Sequence, residues 1–182
     1  DRWVTESALG WLGAHPGALR RLEFCAINLS GSSLADESFR EFVLDQFDRS
    51  AVAPEHICFE VTESSAIANF ASASRFIQDL KRRGCQFALD DFGSGLSSFA
   101  YLKHLPVDLL KIDGAFVRDM ASDATDRAMV RSINEIGQVL GKRTVAEFVE
   151  SAEIARLLEE LGVDYAQGYH FGRPRPLAEL AA

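Results

Sequence analysis

The chain has 182 residues, 47% of them hydrophobic and 13 of them Phe, which suits one sizeable core and is short for two comfortable domains. Lys and Arg total 19 against 27 Asp and Glu, and the resulting formal charge of -8 and pI near 5.0 give no general electrostatic reason to hold duplex nucleic acid. No apolar run approaches the roughly 20 residues that span a bilayer, and Asp1-Arg2-Trp3-Val4 has no signal-peptide pattern, so the segment reads as cytoplasmic with no membrane contact of its own.

The chain opens without methionine in what reads as the first turns of a helix, Trp3 to Gly13, and is expected to be a piece of something longer. An apolar run, Leu22 to Leu29, predicts the first strand, with Asn28 at its end. Asp36 is the expected N-cap of a helix to Arg49, in which Phe39, Phe42 and Phe47 fall at helical spacing and read as core. A second strand, Ile57 to Thr62, carries Glu60, with Glu63 one helical turn's spacing further on. A helix over Ala71 to Arg83 should stop at Gly84. The third strand, Cys85 to Asp90, runs into Asp90-Asp91-Phe92-Gly93-Ser94-Gly95.

Ser97 is the expected N-cap of a short helix, Ser98 to His104. A fourth strand, Leu109 to Ile112, contains Lys111 and is followed by Asp113. The pattern then predicts a helix over Thr125 to Leu140 stopped by Gly141, and a strand over Thr144 to Phe148 holding Glu147 with Glu150 just beyond. A helix over Ala152 to Leu161 ends at Gly162, and a short strand, Tyr165 to Tyr169, carries Gln167. Nothing in composition divides the chain, so residues 1–182 read as a single domain.

Strictly alternating strands and helices imply a parallel sheet, either doubly wound and open or closed as a barrel. The polar groups decide between them. Asn28, Glu60 with Glu63, Asp90 with Asp91, Lys111 with Asp113, Glu147 with Glu150, and Gln167 lie at or just past six successive strand ends. An open sheet gathers its ligands at one switch point, whereas a TIM-like (β/α)8 barrel draws them from many strand ends. The expected fold is therefore an α/β barrel, with about six βα units in this chain and two N-terminal ones absent.

Two adjacent carboxylates at a strand end point to cations that neutralise them, because an unpaired buried carboxylate costs several kcal/mol. A solvated turn capped by Asp91 is the plainer alternative. Asn28, Glu60, Asp90 and Asp91 offer only hard oxygen atoms, which favour Mg2+ or Mn2+ over zinc or copper. Lys111, inside the apolar run Leu109 to Ile112, needs an anionic neighbour or an anionic substrate. Cys25, Cys58 and Cys85 sit in apolar runs without metal-ligand spacing and read as reduced thiols, and the four His are scattered.

The series INLS at 27–30, EVTES at 60–64, DDFGSGLSSFAYLKHLPVDLLKID at 90–113, VAEFVE at 145–150 and QGYHFGRP at 167–174 closely resembles the EAL-domain family. That family linearises the bacterial second messenger cyclic di-GMP. The resemblance covers essentially the whole chain, and one departure from it matters more than the rest. The Glu-Ala-Leu signature that names the family belongs to an earlier strand and does not occur in these residues. Leu96 and Phe148 depart from the family pattern at positions expected to vary.

The resemblance implies Asn28, Glu60, Asp90, Asp91 and Glu147 as ligands of two Mg2+ or Mn2+ ions, which clamp the attacking and leaving oxygens of an in-line displacement. It places Lys111 beside the scissile phosphate, Glu147 as metal ligand or general base, and Gln167 as a group that positions water. Glu63 matches the glutamate that holds the glycine loop containing Gly93 and Gly95. Asp113 and Glu150 are expected to orient these groups, Asp113 also on the substrate side, and Phe171, Arg173 and Pro174 to border a guanine. Phe171 could equally close the barrel rim. A homodimer is expected, as are sensory or regulatory domains upstream, and N-terminal regions outside this segment could tether the full-length protein to a membrane. Three readings stay open at this point: a metal-dependent cyclic di-GMP phosphodiesterase, an inactive cyclic di-GMP receptor module, and an unrelated barrel enzyme acting on a phosphorylated sugar.

Overall fold

Of the three aromatic residues read as core, Phe39 and Phe47 are buried, with Val43 between them on the same helix face, while Phe42 is only half-buried. The computed structural model describes residues 1–93 and 100–180. Among these lie six strands, with helices between all but the third and fourth, in two compact units, Asp1–Phe87 with Arg175–Ala182, and Ala88–Pro174.

The first unit holds α1 (Arg2–Ala14), α2 (Pro16–Leu19), β1 (Cys25–Leu29), α3 (Gly31–Leu34), α4 (Glu37–Arg49), β2 (Ile57–Thr62), α5 (Glu63–Ala68) and α6 (Phe70–Lys81). β1 and β2 pair in parallel, in a register that sets Asn28 opposite Glu60. A pile of rings builds the core: Phe39 stacks on Phe76 at 6.0 Å, Phe76 meets Phe87 edge-on at 6.2 Å, and Phe87 lies 5.6 Å from Phe59. Phe42, at the edge of this core, takes the Arg2 guanidinium over its ring. Asp36 caps α4 by accepting from the Ser38 amide, as its sequence position predicts.

β3 (Gln86–Phe92) begins in the first unit and continues into the second. There β4 (Leu109–Ile112), α7 (Gly114–Asp119), α8 (Ala124–Val139), β5 (Arg143–Ala146), α9 (Ala152–Leu161) and β6 (Tyr165–Ala166) follow. β3 pairs with β4, β4 with β5 and β5 with β6, all in parallel. Every residue of β4 is buried, the pattern of a strand covered on both faces. α8 packs over β4 and β5, where Gly137 lets the helix approach so closely that a Cβ there would stand 2.8 Å from Thr144 Cγ2. Thr144 Oγ1 donates to Asn134 Oδ1 at 2.6 Å, which satisfies two buried polar groups beneath that helix.

Several expected bounds change for identifiable reasons. β1 starts at Cys25 rather than Leu22, because Leu22 closes a turn onto the Leu19 carbonyl. β5 stops at Ala146 and not at Phe148, whose φ of 52° breaks the ladder. β6 spans two residues rather than five, since the Phe171 amide donates back to the Gly168 carbonyl and turns the chain. The helix expected over Ser98 to His104 is a turn from residue 100 onward, where Pro106 restricts Leu105 and prevents propagation. Ser97 and Gly95 lie outside the described residues. Glu63 is not one turn from Glu60 along a helix: Glu60 is in β2, Thr62 is the N-cap and Glu63 is the first residue of α5.

Candidate functional site

β3 is not a regular strand where its two aspartates lie. Leu89 pairs with Leu110 and Phe92 with Ile112, so Asp90 and Asp91 together face the single residue Lys111. This is the count of a β-bulge, and Asp91 sits in it with φ of 55°. In an unbroken strand consecutive side chains point to opposite faces. The extra residue and the left-handed turn re-aim the second carboxylate, and oxygens of Asp90, Asp91 and Glu147 come within 4.8 Å of one another.

Lys111 stands in the middle of this group. Its Nζ lies 2.8 Å from Asp90 Oδ1 and 2.7 Å from Glu147 Oε1, with its own side chain 4% exposed. An ammonium this deep inside an apolar strand is tolerated because two carboxylates meet it. The anionic neighbour that Lys111 was expected to need is therefore present, in Asp90 and in Glu147. Three carboxylates against one ammonium still leave two formal negative charges in the cluster. Partial burial, then the charges of Asp90 and Asp113, push the Asp91 carboxyl above its ordinary range, with Lys111 opposing them. An all-oxygen donor set with surplus negative charge suits a hard divalent cation, and Asp90, Asp91 and Glu147 are the residues placed to hold one.

The remaining residues of the second unit are placed as follows. Asp113 caps α7, its Oδ1 accepting from the Ala115 amide at 2.8 Å. Glu147 continues the ladder by one bond to the Ile112 carbonyl, and the chain then turns at Phe148. Gln167 is held by its backbone, its amide donating to the Ala146 carbonyl at 2.8 Å and its carbonyl accepting from Val149 at 3.0 Å. Glu147, Glu150 and Gln167 line one cavity of about 220 Å³ together with Phe148, Gly168 and Tyr169.

Phe171 is not in that cavity. It borders another of about 430 Å³ with Leu158 and Val163, and its ring meets His170 edge-on. Arg173 lies over the Tyr169 ring at 4.9 Å, and Pro174 is exposed. Gly93 adopts φ of 98°, and a Cβ on it would stand 2.8 Å from Ile133 Cδ1, so this position requires glycine. In the first unit Asn28 is exposed and its register partner Glu60 is buried, as is Glu63 at the start of α5. Sequence reasoning missed Phe148 and Tyr169 as walls of the Glu147 cavity. Their only signal was an aromatic residue beside a glutamate or a glutamine at a strand end.

The sequence matches the family model described as EAL domain over residues 1–174. The chain belongs to the EAL domain family. Cyclic di-GMP phosphodiesterase PdeB of Shewanella oneidensis is 44% identical over 178 residues, which is 98% of this chain and 21% of that protein. Cyclic di-GMP phosphodiesterase PdeF of Escherichia coli is 39% identical over 179 residues, 98% of this chain and 24% of that one. The structure of PaMucR phosphodiesterase in a c-di-GMP complex matches with a TM-score of 0.91 and 34% identity, covering 98% of this chain and 72% of that chain. The FimX EAL domain from Pseudomonas aeruginosa bound to c-di-GMP gives 0.87 and 29%, covering 96% and 69%. This EAL domain thus has part of the TIM-like (β/α)8 fold, six of whose parallel strands lie among the described residues. It spans about a fifth to a quarter of the length of the curated relatives it matches.

Proposed function

We propose that this EAL domain hydrolyses one phosphodiester bond of cyclic di-GMP to the linear dinucleotide, with two divalent cations, Mg2+ or Mn2+, in bacterial second-messenger signalling. The grouping of Asp90, Asp91 and Glu147 around Lys111 carries the reading, because its surplus negative charge fits cations that a phosphodiester would share. Relatives named cyclic di-GMP phosphodiesterases, at 38–44% identity over most of the chain, support the same substrate.

Cations held there would neutralise phosphate charge and make water a better nucleophile near neutral pH. The chain's own residues do the rest. Asp90, Asp91 and Glu147 are the proposed ligands, with Asn28 and Glu60 added on the strength of INLS and EVTES. Lys111 Nζ, fixed by Asp90 and Glu147, presents positive charge that favours the extra negative charge on phosphorus-bound oxygen as water adds and the ribose oxygen leaves. Gln167 orients water or substrate from the cavity it shares with Glu147 and Glu150. On the strength of the sequence motifs alone, Glu63 is assigned with Gly93 and Gly95 to the loop after Asp91, and Phe171, Arg173 and Pro174 to the base side, while Asp113 holds the start of α7. A single barrel domain over residues 1–182, a homodimer, upstream sensory or regulatory domains and a cytoplasmic location complete the proposal. Among the described residues no helix is long and apolar enough to cross a membrane.

The test is to incubate the protein with cyclic di-GMP after chelation and again after Mn2+ is restored, and to identify the product chromatographically. Linear dinucleotide formed only with the metal is expected. Binding of cyclic di-GMP without turnover under both conditions would favour the receptor reading instead.

A further inference from the structure

Phe148 is a bulky residue with φ of 52°, a conformation that L side chains other than Asn and Asp rarely adopt. It is also 48% exposed, so burial of its ring in a core does not hold it there. Two contacts do. A Cβ built on Gly114 would lie 2.1 Å from Phe148 Cδ2 and 2.6 Å from Cγ, so the ring occupies the space that any side chain at position 114 would need. One turn further along α7, the Arg118 guanidinium lies 5.0 Å from the centre of the same ring. The ring is thus docked on α7 by a bare glycine and a cation.

The residue before Phe148 is Glu147. Its amide makes the last ladder bond to Ile112, and Val149 after Phe148 is tied to the Gln167 carbonyl. Between those fixed points the conformation of Phe148 sets the direction in which Glu147 leaves the strand. Asp91 does the same for the other carboxylates: it too is a non-glycine residue with positive φ where a strand ladder is interrupted.

We propose that Phe148, seated on Gly114, is a positioning residue that fixes the backbone of Glu147 and so aims its carboxylate at Lys111, Asp90 and Asp91. The inference rests on the reading of that cluster as the metal site. It treats the aromatic residue and the missing side chain at 114 as one device: either alone fails, because a residue other than glycine at 114 displaces the ring, and glycine at 148 frees the backbone that the ring restrains.

A double-mutant cycle tests this, read both as Mn2+ affinity and as cyclic di-GMP turnover. Phe148→Gly, for which φ of 52° is unstrained, should keep the thermal transition while lowering kcat and weakening Mn2+ binding by about tenfold, with KM changed less than about threefold. Gly114→Ala should cause a loss of similar size, and the pair together should be within about twofold of Phe148→Gly alone, since no ring remains to displace. Phe148→Tyr, which keeps the ring edge on Gly114, should restore both readouts to within about twofold of wild type. Unchanged Mn2+ affinity and kcat in Phe148→Gly, or losses that simply multiply in the double variant, would overturn the inference. Wild-type protein that binds Mn2+ but never cleaves cyclic di-GMP would overturn the proposed function alone, and the cycle would then be decided by Mn2+ affinity.

Discussion

Lys111 Nζ, on β4, lies 2.7 Å from Oε1 of Glu147, the residue that follows β5, with the lysine side chain 4% exposed. Removing the ammonium leaves Glu147 and Asp90 together without their cation. Lys111→Met should therefore lower stability by about 3 kcal/mol in metal-free buffer, the lower end of the cost of breaking a buried pair, because both carboxylates keep some contact with water. Added Mn2+ should recover part of that loss while kcat stays down by at least about a hundredfold and KM moves little. Chemical denaturation with and without Mn2+, beside steady-state kinetics, checks both halves.

Asp91 makes the opposite prediction for stability. Its carboxyl is raised above the ordinary value of 3.8, so the ionised form is disfavoured in the fold. The stability it gives is present below its unfolded value and is lost as pH rises through the folded one. Asp91→Asn tolerates the left-handed backbone and lacks that charge. Without metal it should melt about 1–3 °C above wild type at pH 7, a small shift because solvent screens an exposed carboxylate, and the difference should vanish toward pH 3. Its turnover should be lost at every pH. Melting curves over this range test the sign.

Gly168 is confined by backbone. A Cβ there would lie 2.3 Å from both the nitrogen and the oxygen of Val149, neither of which can rotate away. Gly168→Ala should cost about 2–3 kcal/mol and loosen the bonds that hold Gln167 and His170 to Val149. Faster amide exchange at Val149 and His170 than elsewhere in the unit is the expected signature.

Burial pushes the Cys85 thiol up to about 12. Native protein should resist alkylation at this position at pH 8, and react fully once denatured. The stability contributed by the protonated thiol is present below the unfolded value near 9.0 and falls as pH rises from there toward about 12. Mass spectrometry of iodoacetamide-treated native and unfolded protein reads the first effect.

The strands and long helices were legible because they follow simple periods: Phe39 and Phe47, though not Phe42 between them, mark the buried face of one helix, and Leu109 to Ile112 mark a strand buried on both sides. The carboxylates were legible as residue types at strand ends. What brings them together was not. The bulge opposite Lys111 and the turn at Phe148 depend on φ at two non-glycine positions, which no periodicity records. Phe148 read as a variable position because its partner, Gly114, lies 34 residues earlier and contributes only an absence of side chain. The short helices α2, α3, α5 and α7 were missed for a related reason, since four to six residues carry too little of a 3.6-residue repeat to register.

Whether the Asp90, Asp91 and Glu147 cluster binds the cations on which cyclic di-GMP hydrolysis depends is decided by measuring metal binding and cleavage on the same samples. Mn2+ binding by electron paramagnetic resonance and single-turnover cleavage of cyclic di-GMP should be followed in wild type and in Asp90→Asn. Cleavage by wild type should rise in step with bound Mn2+, and Asp90→Asn should lose Mn2+ affinity and cleavage together by at least about tenfold. Wild-type rates of cleavage in Asp90→Asn, or cleavage by wild type that is complete before any Mn2+ is bound, would contradict it.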